Sequence, residues 1–243
     1  MKSINQSLIQ ECERGNEKKI IELIDNGADV NVKDENGNTP LILLCKNRSV
    51  TVDTMKYLVD KGADIYRKNN KRDNPLTIAC HMGDRQMINL LLKNKEKIKN
   101  VYDSLGLSVL NILCKKNKGR FIISIEKLIK KGADVNGKDE NGMTPLLMAC
   151  YFPNDTVVNH LVKQRKVNVN ITNKDGDSPI MIAGYFNNLN IIKILNEHHA
   201  DLSLKNKNGD TFSTIINRIG NEEIKEYFKT INTGKYMNNK LTL

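Results

Sequence analysis

Five cysteines, Cys12, Cys45, Cys80, Cys114 and Cys150, are the residues of this chain best suited to chemistry, and they lie 33, 35, 34 and 36 residues apart. A thiol can bind metal, pair in a disulfide or act as a nucleophile, but each role requires particular neighbours. A structural zinc site needs ligand pairs a few residues apart, and an odd set at near-equal intervals is not a disulfide framework. One further step of the interval falls on Gly184. The position therefore asks for a small, mostly apolar side chain, and five buried structural thiols are expected. His198 and His199 attract a metal reading, but neighbouring side chains on one element diverge, and no metal is expected there. The sequence has no glycine-rich phosphate loop, no His-Glu-x-x-His and no grouping of Cys, His and acid independent of the interval. Neither an enzyme nor a cofactor site is expected.

The interval belongs to the whole chain. ENGNTPLILLC at 35 to 45 returns as ENGMTPLLMAC at 140 to 150. Drifted copies fill the gap: Thr39-Pro40 is followed by Asn74-Pro75, Ser108-Val109, Thr144-Pro145, Ser178-Pro179 and Thr211-Phe212. In the same frame stand GADVN at 27 to 31, GADI at 62 to 65, GADVN at 132 to 136 and HADLS at 199 to 203. A fixed period near 33 residues signals a repeat architecture and takes precedence over other readings.

Each copy spells out its elements. Asp34-Glu35-Asn36-Gly37 is turn chemistry, because Asp and Asn tolerate unusual backbone angles and Gly accepts positive φ. Thr39 is placed to cap a helix, and Pro40 at its first position gives up only an N–H that would be unpaired anyway. The helix from residue 40 ends near Cys45 to Asn47. A second, amphipathic helix with Met55, Leu58 and Val59 at helical spacing follows, and Gly62 terminates it. One such pair cannot bury its apolar face, so neighbouring copies must stack.

The pattern D-x-x-G-x-T-P-L, a short helix, and a second helix ending in L-L-x-x-G-A-D-V-N resembles the ankyrin repeat family, most clearly over 34 to 64 and 139 to 170 and more weakly over 4 to 228. The resemblance implies an all-α solenoid of helix-turn-helix units joined by β-turn loops. The His that usually follows T-P-L is replaced by Ile42, Thr77, Asn111, Leu147, Met181 and Thr214, a change expected to remove one helix-start hydrogen bond per repeat. On this reading residues 1–34 are an N-terminal cap, 35–205 five repeats, 206–228 a C-terminal cap and 229–243 a loose basic tail.

The resemblance also implies a function: a non-enzymatic scaffold or adaptor that binds a partner protein with its turn tips and the concave face of its first helices. The residues to inspect close each first helix or flank the turns. They are His81, Met82, Lys115, Lys116, Tyr151, Phe152, Tyr185 and Phe186, with Leu105, Leu107 and Met143 as apolar turn residues. Tyr151-Phe152 and Tyr185-Phe186 use four of the chain's twelve aromatic residues. They are the expected centre of the surface, with Lys115 and Lys116 as a charged flank for an acidic partner.

The formal charge is +10, from 30 Lys and 8 Arg against 28 acidic residues. A Lys-rich middle (Lys93, Lys95, Lys97, Lys99, Lys115, Lys116, Lys118, Arg120) leaves binding of nucleic acid or another polyanion as the alternative. Spread Lys lacks the planar fork with which Arg reads bases, and a solvated surface is the plainer reading. No run approaches a membrane span and the first fifteen residues have no secretory apolar stretch. The chain is accordingly expected to be a monomer in the cytoplasm, with the nucleus as the other compartment.

Overall fold

The computed structural model describes residues 3–93, 101, 103, 107–116, 119–219 and 221–240. Among them stand fourteen helices and no strand, following one another in pairs. The pairs are α1 (Ile4–Arg14) with α2 (Glu17–Asp25), α3 (Pro40–Lys46) with α4 (Val52–Asp60), α5 (Pro75–Met82) with α6 (Arg85–Leu91), and α7 (Val109–Lys115) with α8 (Ile122–Lys130). There follow α9 (Pro145–Tyr151) with α10 (Asp155–Val162), α11 (Pro179–Tyr185) with α12 (Leu189–Glu197), and α13 (Phe212–Ile219) with α14 (Glu222–Lys240).

The chain divides into two compact units, residues 1–113 with 123–134 and residues 114–122 with 135–243. In the first unit, α1, α3 and α5 pack side by side, and α2, α4 and α6 form a second row against them. In the second unit, α9, α11 and α13 make the first row, with α10 and α12 behind. Apolar side chains fill the space between rows. Leu41, Leu44, Met55 and Leu58 are buried in the first unit, and Leu146, Leu147, Val158 and Leu161 in the second. All five cysteines are buried, and none of them is in a disulfide. Gly184 continues their position, where a Cβ would stand 3.2 Å from the Phe212 ring, a tight contact that favours glycine.

Thr39 and Thr144 cap α3 and α9 by accepting the N–H of Ile42 and Leu147, with Pro at the first helical position in both. The expected loss of a helix-start bond in every repeat needs correction at two positions. Thr77 and Thr214 supply hydroxyls that accept the N–H of Asn74 (2.9 Å) and Thr211 (2.8 Å), closing the cap from both sides. A hydroxyl replaces the imidazole there; Asn111 Oδ1 instead accepts the Ser108 hydroxyl at 3.1 Å, and Ile42, Leu147 and Met181 carry no polar hydrogen-bonding group of that kind.

The turns repeat one device. Asp34, Asn69, Asp103, Asp139, Asn173 and Asn206 each accept, at Oδ1, the backbone N–H four residues on, at 2.7 to 2.9 Å. Adjacent tips are tied by Asn70 N–H to the Asn36 carbonyl (3.0 Å) in the first unit, and by Lys174 N–H to Asn141 (3.0 Å) in the second. Gly142 shows why glycine is needed: its φ is +75°, and a Cβ would lie 2.8 Å from the Lys174 nitrogen.

The segment from Lys229, read from the sequence as a loose basic tail, continues α14 as far as Lys240. No proline interrupts it, Lys229 pairs with Glu226 at 2.6 Å, and the Thr230 hydroxyl donates to the Tyr227 carbonyl.

Candidate partner-binding surface

Lys46, His81, Lys115, Tyr151, Tyr185 and Arg218 hold one register at or next to the last residue of α3, α5, α7, α9, α11 and α13, and four of these six are held by turns. Lys46 Nζ donates to Asn38 Oδ1 at 2.9 Å. His81 Nε2 lies 2.6 Å from Asp103, whose fully buried carboxylate also accepts the Leu107 N–H. The Tyr185 hydroxyl donates to Asp177 (3.4 Å) and accepts from Asn206 Nδ2 (3.0 Å). Burial, and then the Asp177 charge, pushes that hydroxyl above its ordinary pKa. Arg218 bonds Asp210 with both terminal nitrogens, which holds the carboxyl below its usual range.

Lys115 and Tyr151 differ from the other four. In their own turns the position that carries Asn38, Asp177 or Asp210 elsewhere is Leu107 or Met143, and neither has a side-chain acceptor. Both side chains turn to an aromatic group instead. Lys115 Nζ lies 4.9 Å from the centre of the Phe152 ring. Tyr151 meets Phe152 and Phe186 edge to face, with ring centres 5.1 Å apart in both cases. Such contacts suit the negative ring face and positive ring edge. Tyr151 is 48% exposed, Phe152 36% and Phe186 45%. Three rings and an ammonium thus form one connected surface in the second unit.

The other candidates separate. Tyr185 belongs to the turn network and His81 to Asp103. Met82 and Met143 are half-buried, and Lys116 uses its carbonyl to accept Asn154 Nδ2 at 3.1 Å. Leu107 is corrected: at 9% exposure it is part of the core, because its N–H and carbonyl close the turn on Asp103 and direct its side chain inward. Leu105 lies outside the described residues, as do Lys95, Lys97, Lys99 and Lys118 of the Lys-rich middle.

One residue was missed. Ile219, 33 positions after Phe186 and 67 after Phe152, holds their place in the last pair and is 41% exposed. The register alone could have found it, had residues 206–228 not been set apart as a cap. Asn187, next to Phe186, donates to the Ile219 carbonyl at 3.3 Å, so the two repeats are joined at this edge.

The family model of ankyrin repeats matches three times, over residues 8–103, 110–206 and 146–228. The chain belongs to the ankyrin repeat family. Ankyrin repeats generally mediate protein–protein interaction and are typically non-enzymatic. No curated protein sequence matches the chain. Among solved structures it is similar to the human ASB11 ankyrin repeat domain, with TM-score 0.70, 22% identity, and 88% of this chain and 98% of that one covered. It is also similar to the ankyrin repeat domain of Bcl-3, a member of the IkappaB protein family, with TM-score 0.72, 22% identity, and 86% and 92% covered. Likeness at this identity shows the fold. Among the described residues of this ankyrin chain, no helix is long and apolar enough to cross a membrane.

Proposed function

We propose that this ankyrin array is a non-enzymatic scaffold that binds a partner protein through the surface made by Tyr151, Phe152, Phe186 and Lys115. The observation that carries the reading is the edge-to-face trio, nearly half exposed at Tyr151 and Phe186 with an ammonium over its edge. Rings of this kind supply large contact area at little entropic cost, and Tyr and Trp are enriched where binding energy concentrates. Holding Tyr151 against two rings preorganises it further. Lys115 gives the patch a cation that attracts an acidic group.

The test is affinity capture with the full chain from its native host, repeated with Phe152→Ala/Phe186→Ala. The variant should keep the parent's helical content and melting temperature and lose the partner, with affinity lower by about 2 kcal/mol or more. A partner retained by the variant would move the binding face elsewhere.

A further inference from the structure

Phe152, Phe186 and Ile219 occupy one register at the ends of α9, α11 and α13 and are 36%, 45% and 41% exposed. Those three helices pack in sequence, α9 on α11 and α11 on α13. Helices packed side by side stand about 8–10 Å apart, so the stripe presents an apolar side chain at about that interval. Lys115 stands at one end of it. At the other end, Arg218 is already neutralised by Asp210.

We propose that this stripe receives an amphipathic α-helix from an acidic partner, laid across α9, α11 and α13, with apolar side chains seven residues apart and a carboxylate facing Lys115. The proposal rests on the scaffold reading above and specifies its ligand. Seven residues of helix rise about 10.5 Å, which matches the step from one repeat to the next. An extended peptide could match that step with every third residue. Its backbone N–H and C=O groups would then lie on a surface where no strand edge offers partners among the described residues, whereas a helix satisfies its own. The charge of the ligand follows from Lys115 and from the chain's formal charge of +10. Because the cation sits only at the Phe152 end, the acidic residue belongs at that end of the bound helix.

The experiment selects random phage-displayed peptides of about 20 residues, long enough for two seven-residue steps, on the full chain after depletion on the Phe186→Asp variant. Enriched peptides should carry apolar residues at i, i+7 and i+14 with an excess of Asp and Glu at one end, and should gain helical circular dichroism on binding. Affinity should fall at least about tenfold on Phe186→Asp and on Ile219→Asp, both exposed positions. Lys115→Glu should weaken binding, and a peptide with its terminal acid changed to Lys should recover it. Enriched peptides that depend on Phe186 but lack the seven-residue spacing or the acid would overturn the helical ligand and leave the aromatic surface as a binding site. Peptides indifferent to Phe186→Asp, or no enrichment after depletion, would overturn both.

Discussion

Tyr151 and Tyr185 close the same helix in adjacent repeats, yet the hydroxyl of Tyr185 lies between Asp177 and Asn206 while the ring of Tyr151 meets Phe186 at 5.1 Å. One residue type at one register thus takes two roles, and the residue eight positions earlier accounts for the difference. Asp177 offers an acceptor; Met143 does not.

The two tyrosines should accordingly respond differently to loss of the hydroxyl alone. Tyr185→Phe removes a bridge between two turns and should lower the stability of the full chain by about 1 kcal/mol, the net worth of a typical hydrogen bond. Tyr151→Phe keeps the ring contacts and should change stability by less than about 0.5 kcal/mol. Urea unfolding of both variants beside the parent reads the contrast. Equal losses would mean that Tyr151 also serves a turn.

Much of this architecture was legible. The Thr-Pro pairs and the Gly-Ala-Asp phrases gave the helix starts and stops, because capping and turn chemistry are local and readable from short stretches. The cysteine interval marked a core position, since burial demands small apolar groups wherever first helices pack. The surface was harder to read because exposure depends on which polar groups find partners across repeats. Tyr185 looked equivalent to Tyr151 until Asp177 and Asn206 were brought to its hydroxyl. Leu107 looked available until its backbone closed on Asp103. Ile219 was hidden by a boundary drawn at residue 206, although its register continued that of Phe152 and Phe186.

Burial pushes the Cys12 thiol from its ordinary value of 9.0 up to about 12, and raises Cys45, Cys114 and Cys150 still further. A folded-state pKa above the unfolded one gives stability that is fully present below the unfolded value and is lost as pH rises past it. The folded chain should therefore weaken from about pH 9 upward, with each fully ionising thiol contributing at most about 1.4 kcal/mol per pH unit. Urea midpoints between about pH 8 and 10.5 would show the slope, and Cys114→Ala should reduce it. A thiol reagent at neutral pH should label the five cysteines slowly in the folded chain and completely in denaturant. An oxidised pair would sink the core assignment, because each of these thiols is packed into the core.

Glu17 predicts the opposite pH edge. Its carboxylate accepts the Thr51 N–H at 2.6 Å, the Thr51 hydroxyl at 2.8 Å and the Thr54 hydroxyl at 2.6 Å, so α2 anchors the start of α4. The Thr54 bond leads in holding this carboxyl below its ordinary pKa. A depressed folded-state pKa gives stability that is present above the unfolded carboxyl value and lost as pH falls through the folded one. The parent should weaken below about pH 4.5, and Glu17→Gln should flatten that acid limb while lowering stability at neutral pH. An unchanged acid limb in Glu17→Gln would assign the loss to other carboxyls.

His199 stands where the other copies have the glycine of Gly-Ala-Asp, and it takes that glycine's left-handed backbone, φ +61° beside +89° at Gly27, +91° at Gly62 and +93° at Gly132. A Cβ built on any of those three glycines meets nothing within 4 Å. The cost of a side chain at this position is therefore conformational rather than steric. An L-residue in the left-handed region costs roughly 1–2 kcal/mol. Glycine's greater freedom in the unfolded chain returns about 0.5–1 kcal/mol of that advantage. The balance predicts that His199→Gly stabilises the chain by about 0.5–1 kcal/mol, and that Gly132→His destabilises it by a similar amount. Both values can be read from urea unfolding at neutral pH, where the exposed imidazole of His199 adds no buried contact to the comparison. A loss of stability in His199→Gly would show that the imidazole makes a contact worth more than the strain it imposes.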